Sequence, residues 1–193
     1  MMPISVRLPR LTLAMPRPGL ESEPGEWQLV REARAGSRAA FGELYTRFAR
    51  MVHGILLARV PYSDAEDLAQ DVFLSAFGKL STLREPGAFP GWLASMARNR
   101  ATEFHRAARY REQAHARAEH PDRSGPDATA IHILEVIQSL PEAYRETLVL
   151  RLVEGMTGPE IAERTGLTPD SVRVNLFRGM KLLRERLGRG GAE

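Results

Sequence analysis

Cysteine is absent from the 193 residues, which excludes disulfides, thiolate metal sites and cysteine nucleophiles. Lysine is nearly absent: Lys79 and Lys181 are the only two among 27 basic residues, so arginine carries the positive charge. Its planar fork suits phosphates and base edges. Aromatic residues make up only 7% of the chain, and the β-branched alternation that marks strands is scarce. Long apolar runs are also missing. Between Met1 and Pro18 the scattered apolar residues are interrupted by Arg7, Pro9, Arg10, Pro16 and Pro18. Neither a signal-peptide core nor a membrane span fits there, so the expected location is the cytoplasm. The five histidines show no metal-ligand spacing and no glycine-rich phosphate loop occurs, so no cofactor is expected.

What the chain does contain is Ala, Leu, Arg and Glu at helical spacing, with 43% apolar and 26% charged residues. The expected fold is all-α, with two small helical domains joined by a flexible linker. Residues 1–24 hold five prolines and no helical period, and read as a disordered tail. From Glu26 onward Trp27, Val30 and Ala33 share a face. Gly36 ends that helix and Ser37 caps the next, whose apolar residues are Phe41, Leu44, Tyr45, Phe48, Val52, Ile55 and Leu56. Ser63 and Glu66 have the spacing of a capping box for a helix from Asp64 to Leu80, with Leu68, Val72, Phe73, Ala76, Phe77 and Leu80 inside. A loop from Ser81 to Gly91 precedes a long helix that runs from about Trp92 past Tyr110.

Periodicity lapses over 112–127, where Pro121, Gly125 and Pro126 cluster, and this segment reads as a linker between domains at 25–111 and 128–189. Extended at roughly 3.5 Å per residue it spans several tens of ångströms. Beyond it, Ile131, Leu134, Ile137 and Leu140 share a face, then Pro141 opens a helix carrying Tyr144, Leu148, Leu152 and Val153. Thr157 and Glu160 form a second capping box. Gly166 turns that short helix off, Thr168 caps the last helix, and Pro169 takes its first position. A short helix, a tight turn and a longer basic helix make a helix-turn-helix. Residues 190–193 are a tail.

Three surfaces carry functional chemistry. The last helix turns Asp170, Ser171, Arg173, Val174, Asn175, Phe177 and Arg178 outward, and arginine and asparagine pair bidentately with guanine and adenine. In the long helix, Arg98, Arg100, Arg106, Arg109, Arg111 and Arg117 face only Glu103 and Glu112, and mingle with Phe89, Trp92, Asn99, Phe104 and Tyr110. Such a mixture holds unstacked bases and their phosphates, or is a solvated face with Trp92 and Phe104 in the core. Asp64, Glu66, Asp67 and Asp71 crowd one side of an earlier helix. They either favour the helix dipole or await a basic partner.

The runs D-A-E-D-L-A-Q-D-V-F from Asp64 to Phe73, F-P-G-W-L-A-S-M-A-R-N-R from Phe89 to Arg100, L-P-E-A-Y-R-E from Leu140, E-I-A from Glu160 and S-V-R-V-N-L-F-R-G from Ser171 resemble, in order and spacing, bacterial extracytoplasmic-function sigma factors. These are sigma-70 relatives reduced to regions 2 and 4. The resemblance implies an alternative sigma factor, not an enzyme, that binds core RNA polymerase, recognises −10 and −35 promoter elements and promotes melting. It implies that Asp64, Glu66, Asp67, Gln70, Asp71 and Phe73 meet the clamp helices of the β′ subunit, with further contacts to β. Leu83, Arg84 and Phe89 fall in the loop that captures a −10 base, Asn99 where a polar residue enters the separating duplex, and Arg98, Arg100, Arg106 and Arg109 beside its phosphates. Thr168, Ser171, Arg173, Val174, Asn175, Phe177, Arg178 and Lys181 fall in the −35 reader. A cognate anti-sigma factor, often membrane-bound in this family, is implied as a partner.

Val174, Asn175 and Gly179 depart from the residues common there, and Pro86 and Gly87 make the −10 loop individual. Two other readings compete. A one-component regulator shares the helix-turn-helix but leaves the acidic and basic helices unexplained. An enzyme using Asp64, Asp67 and Asp71 as metal ligands lacks a second carboxylate cluster.

Overall fold

Ser37 begins its helix as its spacing predicts, its hydroxyl accepting from the Ala40 N–H at 3.2 Å. In the computed structural model, which describes residues 25–114 and 128–189, eight α-helices and two single 3-10 turns are joined by short loops and no strand occurs among the described residues. The helices are α1 (Glu26–Arg34), α2 (Arg38–Leu57), α3 (Tyr62–Lys79), α4 (Phe89–Ala114), α5 (Ala128–Gln138), α6 (Glu142–Leu152), α7 (Gly158–Thr165) and α8 (Pro169–Arg189). The fold is all-α, as expected. The two tails and most of the expected linker lie outside the described residues.

Local chemistry sets most helix ends. Gly36 and Gly166 take φ of 100° and 77°, a conformation that costs glycine nothing and stops α1 and α7. Thr157 and Glu160 close the capping box of α7 from both sides. The Thr168 hydroxyl accepts from the Ser171 N–H at 3.1 Å and begins α8. Ser63 behaves differently from its sequence expectation. It sits inside α3, whose N-cap is Pro61, and its hydroxyl donates to Asp64 at 2.9 Å. α4 likewise starts at Phe89 rather than Trp92, because Pro90 needs no N–H partner in a first helical turn, and it continues to Ala114, into the span read as linker.

Helical spacing then places the core. Leu44, Phe48, Val52 and Ile55 of α2, Leu68, Val72 and Ala76 of α3, and Leu93, Ala94 and Ala97 of α4 are buried together. Each large apolar side chain so buried contributes about 1.5–3 kcal/mol, and truncating Phe48 to alanine would cost about 3–5 kcal/mol. Leu134, Ile137 and Leu140 of the α5 segment, Leu148 of α6 and Leu183 of α8 form the second half's interior. A smaller cluster of Leu150, Met156, Ile161, Ala162 and Val172 joins α6 to the helix-turn-helix. Four residues expected inside are instead exposed: Trp27, Tyr45, Phe77 and Leu152. Tyr45 and Phe77 keep one ring contact each between α2 and α3, with Phe73 and Phe41, and face solvent on the other side; on α1 the inner face is Leu29, Val30 and Ala33.

The two halves are not held apart. α2 packs on α6, α4 packs on α7, and the buried residues of both halves merge into one contiguous cluster. At the crossing of α2 and α6 a Cβ on Gly54 would lie 2.6 Å from Leu150 Cδ2, so glycine permits this approach. The Gln138 side-chain amide donates to the carbonyls of Leu57 and Val60 at 2.7 and 2.8 Å, satisfying acceptors orphaned at the end of α2. Arg164 of α7 donates to the Arg47 carbonyl and lies 4.9 Å from the Phe48 ring centre.

Candidate functional site

α3 presents its acids as a solvent face because Leu68, Val72, Phe73 and Ala76 turn inward. Glu66, Asp67 and Gln70 are exposed, while Asp64 and Asp71 are half-buried. Asp71 Oδ2 accepts from Arg100 Nη2 at 2.8 Å, which ties this face to α4. Phe73 does not belong to the outer face. It is buried with its ring 4.5 Å from Tyr45, so it supports α3 from beneath. The outer stripe contains instead Leu74, 72% exposed, and Phe77, 43% exposed, whose ring meets Phe41 at 4.8 Å. Asp67, Gln70, Leu74 and Phe77 follow one another at i, i+3, i+7 and i+10. That spacing is present in the sequence, but the apolar periodicity places Phe77 inside and assigns Leu74 no role.

The loop before α4 is pinned at both ends by the residues expected to meet a base. Leu83 and Phe89 are buried, the Phe89 ring standing edge-on to Phe48 at 5.2 Å. Between them Arg84, Glu85, Gly87 and Ala88 are exposed, and the Arg84 carbonyl accepts a long hydrogen bond from Arg34 of α1 at 3.5 Å. The part of this loop free to touch a ligand is therefore Arg84 to Ala88. Trp92 and Phe104 are half-buried against the core, as a packing role requires.

Along α4, Asn99, Arg106 and Arg109 are exposed. Arg100 is engaged by Asp71, with Glu103 at 3.9 Å. Arg98 is engaged more strongly: its Nε and Nη2 donate to Glu146 of α6 at 3.1 and 2.7 Å, and Nη2 also donates to the Thr165 carbonyl at 3.2 Å. The hydrogen bond and charge of Glu146 hold the Arg98 pKa above its ordinary value.

The helix-turn-helix turns Thr168, Ser171, Arg173, Val174, Phe177, Arg178 and Lys181 to solvent, with Asn175 half-buried. Phe177 is 75% exposed, an unusual position for a ring with no partner. Arg173 pairs with Asp170 at 3.1 Å, but both are largely exposed, so the pair yields readily to a phosphate or base edge. Hydrogen bonds from the Thr157 backbone N–H and hydroxyl hold the Glu160 carboxyl below its usual range and fix the start of α7. Against α7, α8 is set by Val172 packing on Ile161 and Ala162.

Comparisons with known proteins agree with this layout. The family model for Sigma-70 region 2 matches residues 44–111, and that for Sigma-70, region 4, matches residues 132–183. RNA polymerase sigma factor CarQ of Myxococcus xanthus is 35% identical over 80% of this chain and 93% of its own. The ECF RNA polymerase sigma factor SigD of Mycobacterium tuberculosis is 31% identical over 84% of each chain. Among solved structures, CnrH in complex with the cytosolic domain of CnrY shares the fold, with a TM-score of 0.59, 24% identity, and coverage of 85% of this chain and 97% of that one. Two ordered region matches, relatives matched over most of their length, and an all-helical fold have one explanation: the chain belongs to the extracytoplasmic-function RNA polymerase sigma factors, alternative sigma factors that direct RNA polymerase.

Proposed function

We propose that this sigma factor divides its work among the three surfaces described above. The outer face of α3, with Asp64, Glu66, Asp67, Gln70 and Asp71, docks on the clamp helices of polymerase β′, and Leu74 and Phe77 add apolar contact beside the acids. Arg84 to Ala88 meet the −10 element, Asn99 enters the separating duplex, and Arg98, Arg100, Arg106 and Arg109 hold its phosphates. Thr168, Ser171, Arg173, Val174, Asn175, Phe177, Arg178 and Lys181 read the −35 element. Residues 25–111 act as region 2 and 128–189 as region 4, with 112–127 spanning between promoter elements alongside the β subunit.

The protein itself catalyses nothing. Polymerase does the chemistry, and binding energy from two tethered DNA contacts stabilises the melted promoter. It acts in the cytoplasm; among the described residues no helix is long and apolar enough to cross a membrane. An anti-sigma factor is its proposed inhibitor, by analogy with the solved relative bound to a cytosolic domain.

The observation that carries this reading is the pairing of an acidic and apolar face on α3 with an arginine-rich face on α4, in a chain that also carries a helix-turn-helix. A one-component regulator has no use for the first two. Pull-down with core polymerase followed by run-off transcription on a promoter library tests it: stable association and initiation at a discrete promoter set are expected. Failure to associate with core would overturn it.

A further inference from the structure

Trp27 is the only aromatic residue of α1, and it does not enter the core. It is 54% exposed, while Leu29, Val30 and Ala33 fill the inner face of the same helix. The guanidinium of Arg31 lies 4.3 Å from its ring centre, so the indole already holds a cation. Trp27, Arg31 and Arg34 stand at i, i+4 and i+7 and form one stripe about 10 Å long. That stripe runs into the loop before α4: α1 packs beside the turn Pro86–Ala88, and Arg34 reaches the Arg84 carbonyl at 3.5 Å. Arg31, Arg34 and Arg84 are all exposed, with Glu85 the one acid of the loop. The acids of α1 are turned aside. Glu26 lies 3.7 Å from Arg164, and Glu32 accepts from Gln28 at 3.0 Å.

We infer that Trp27, Arg31 and Arg34 are a second contact for single-stranded DNA, continuous with the one made by Arg84 to Ala88: the indole stacks on a base of the separated strand beside the one the loop meets, and the arginines hold its phosphates. The inference rests on the reading of that loop as a −10 contact. Stacking needs one aromatic platform and nearby cations, and it tolerates any base, because every base has a π-face. A protein partner fits this stripe poorly. It would call for a desolvated apolar patch around the ring, whereas the other members of the stripe are two arginines and the aliphatic residues Leu29 and Val30 are buried. Duplex DNA fits no better, since its bases are already stacked on one another.

Trp27 and the half-buried Trp92 are the only tryptophans, so the full-length Trp92→Phe chain reports on Trp27 alone. Titration at low salt with a short thymidylate strand should quench its fluorescence to saturation, and an abasic strand of equal length should not. By fluorescence anisotropy of the labelled thymidylate, Trp27→Ala should lose about tenfold in affinity and Trp27→Phe much less. Arg31→Ala should also weaken binding and flatten the logarithmic salt slope by about 0.7, as the loss of one single-strand phosphate contact requires. Trp27→Ala should leave that slope unchanged.

Unquenched fluorescence at saturating thymidylate, equal quenching by the abasic strand, or parent-like affinity in Trp27→Ala would overturn the inference. Weakened core polymerase pull-down by Trp27→Ala with DNA affinity intact would assign the face to polymerase instead. Arg84→Ala keeps this failure apart from failure of the loop reading. If Trp27→Ala lowers affinity and Arg84→Ala does not, the platform stands and the −10 role of the loop falls. If only Arg84→Ala lowers it, the loop stands and the platform falls.

Discussion

Asp71 of α3 and Arg100 of α4 are joined at 2.8 Å, so the helix proposed to hold polymerase and the helix proposed to hold the −10 strand share an ion pair. The Asp71 side chain is 48% exposed and that of Arg100 32% exposed, which limits the stability the pair supplies to about 0.5 kcal/mol. Asp71→Asn should therefore leave the melting temperature nearly unchanged while weakening association with core polymerase several-fold. Calorimetry beside a core-binding titration checks this. A large drop in melting temperature with normal core affinity would assign Asp71 a structural role instead.

Asp67 and Arg173 provide the complementary separation. Asp67→Arg reverses a charge on the outer face of α3 and should abolish core association while leaving −35 duplex binding by the helix-turn-helix intact. Arg173→Ala should do the opposite, costing about 1–3 kcal/mol at one −35 position if it reads a base edge, or lowering affinity for all sequences with a shallower salt dependence if it holds a phosphate. Equal effects of both variants on the same step would contradict the division of labour.

The capping box of α7 makes the helix-turn-helix sensitive to acid. The folded pKa of Glu160 is depressed below its ordinary 4.5, so its contribution to stability is complete above that value and is lost as pH falls through the folded value. Thr157→Ala should cost about 1 kcal/mol at neutral pH. The stability gap between the parent and Glu160→Ala should narrow steadily below the ordinary value. A gap that stays constant into strong acid, measured by urea unfolding, would contradict the carboxylate's role.

Gly179 faces the interior of the C-terminal half. A Cβ there would meet Leu148 Cδ1 at 3.0 Å and Tyr144 Cβ at 3.1 Å, tighter than ordinary van der Waals contact. Gly179→Val adds a Cβ and two methyl groups to that contact and should destabilise by about 1–3 kcal/mol through overpacking. Thermal unfolding reads this directly. Loss of −35 binding without loss of stability would place Gly179 at the DNA instead.

Much of the fold was legible because it depends on short-range rules. Ser37, Gly36, the Thr157 and Glu160 box, Gly166 and Thr168 each act on backbone groups within a few residues, and each stands in the structure where the sequence places it. The Ser63 cap failed because Pro61 and Tyr62 let α3 start earlier, leaving Ser63 no orphan N–H to serve. Exposure was harder to read. Apolar spacing marks Phe73 and Phe77 alike, and only the placement of α2 decides that Phe73 is buried beside Tyr45 while Phe77, edge-on to Phe41, stays exposed.

The sequence by itself determined the all-helical class, the helix-turn-helix, the family and the polar residues of all three candidate surfaces, because periodicity, caps and motif order are properties of neighbouring residues. Only the tertiary structure decided that Leu83 and Phe89 anchor the loop before α4 from within, and that Arg98 meets Glu146 across 48 residues of chain. A pair so distant leaves no periodic trace. It exists because Gly54 lets α2 and α6 approach, and because a buried carboxylate must find its cations wherever the fold has brought them.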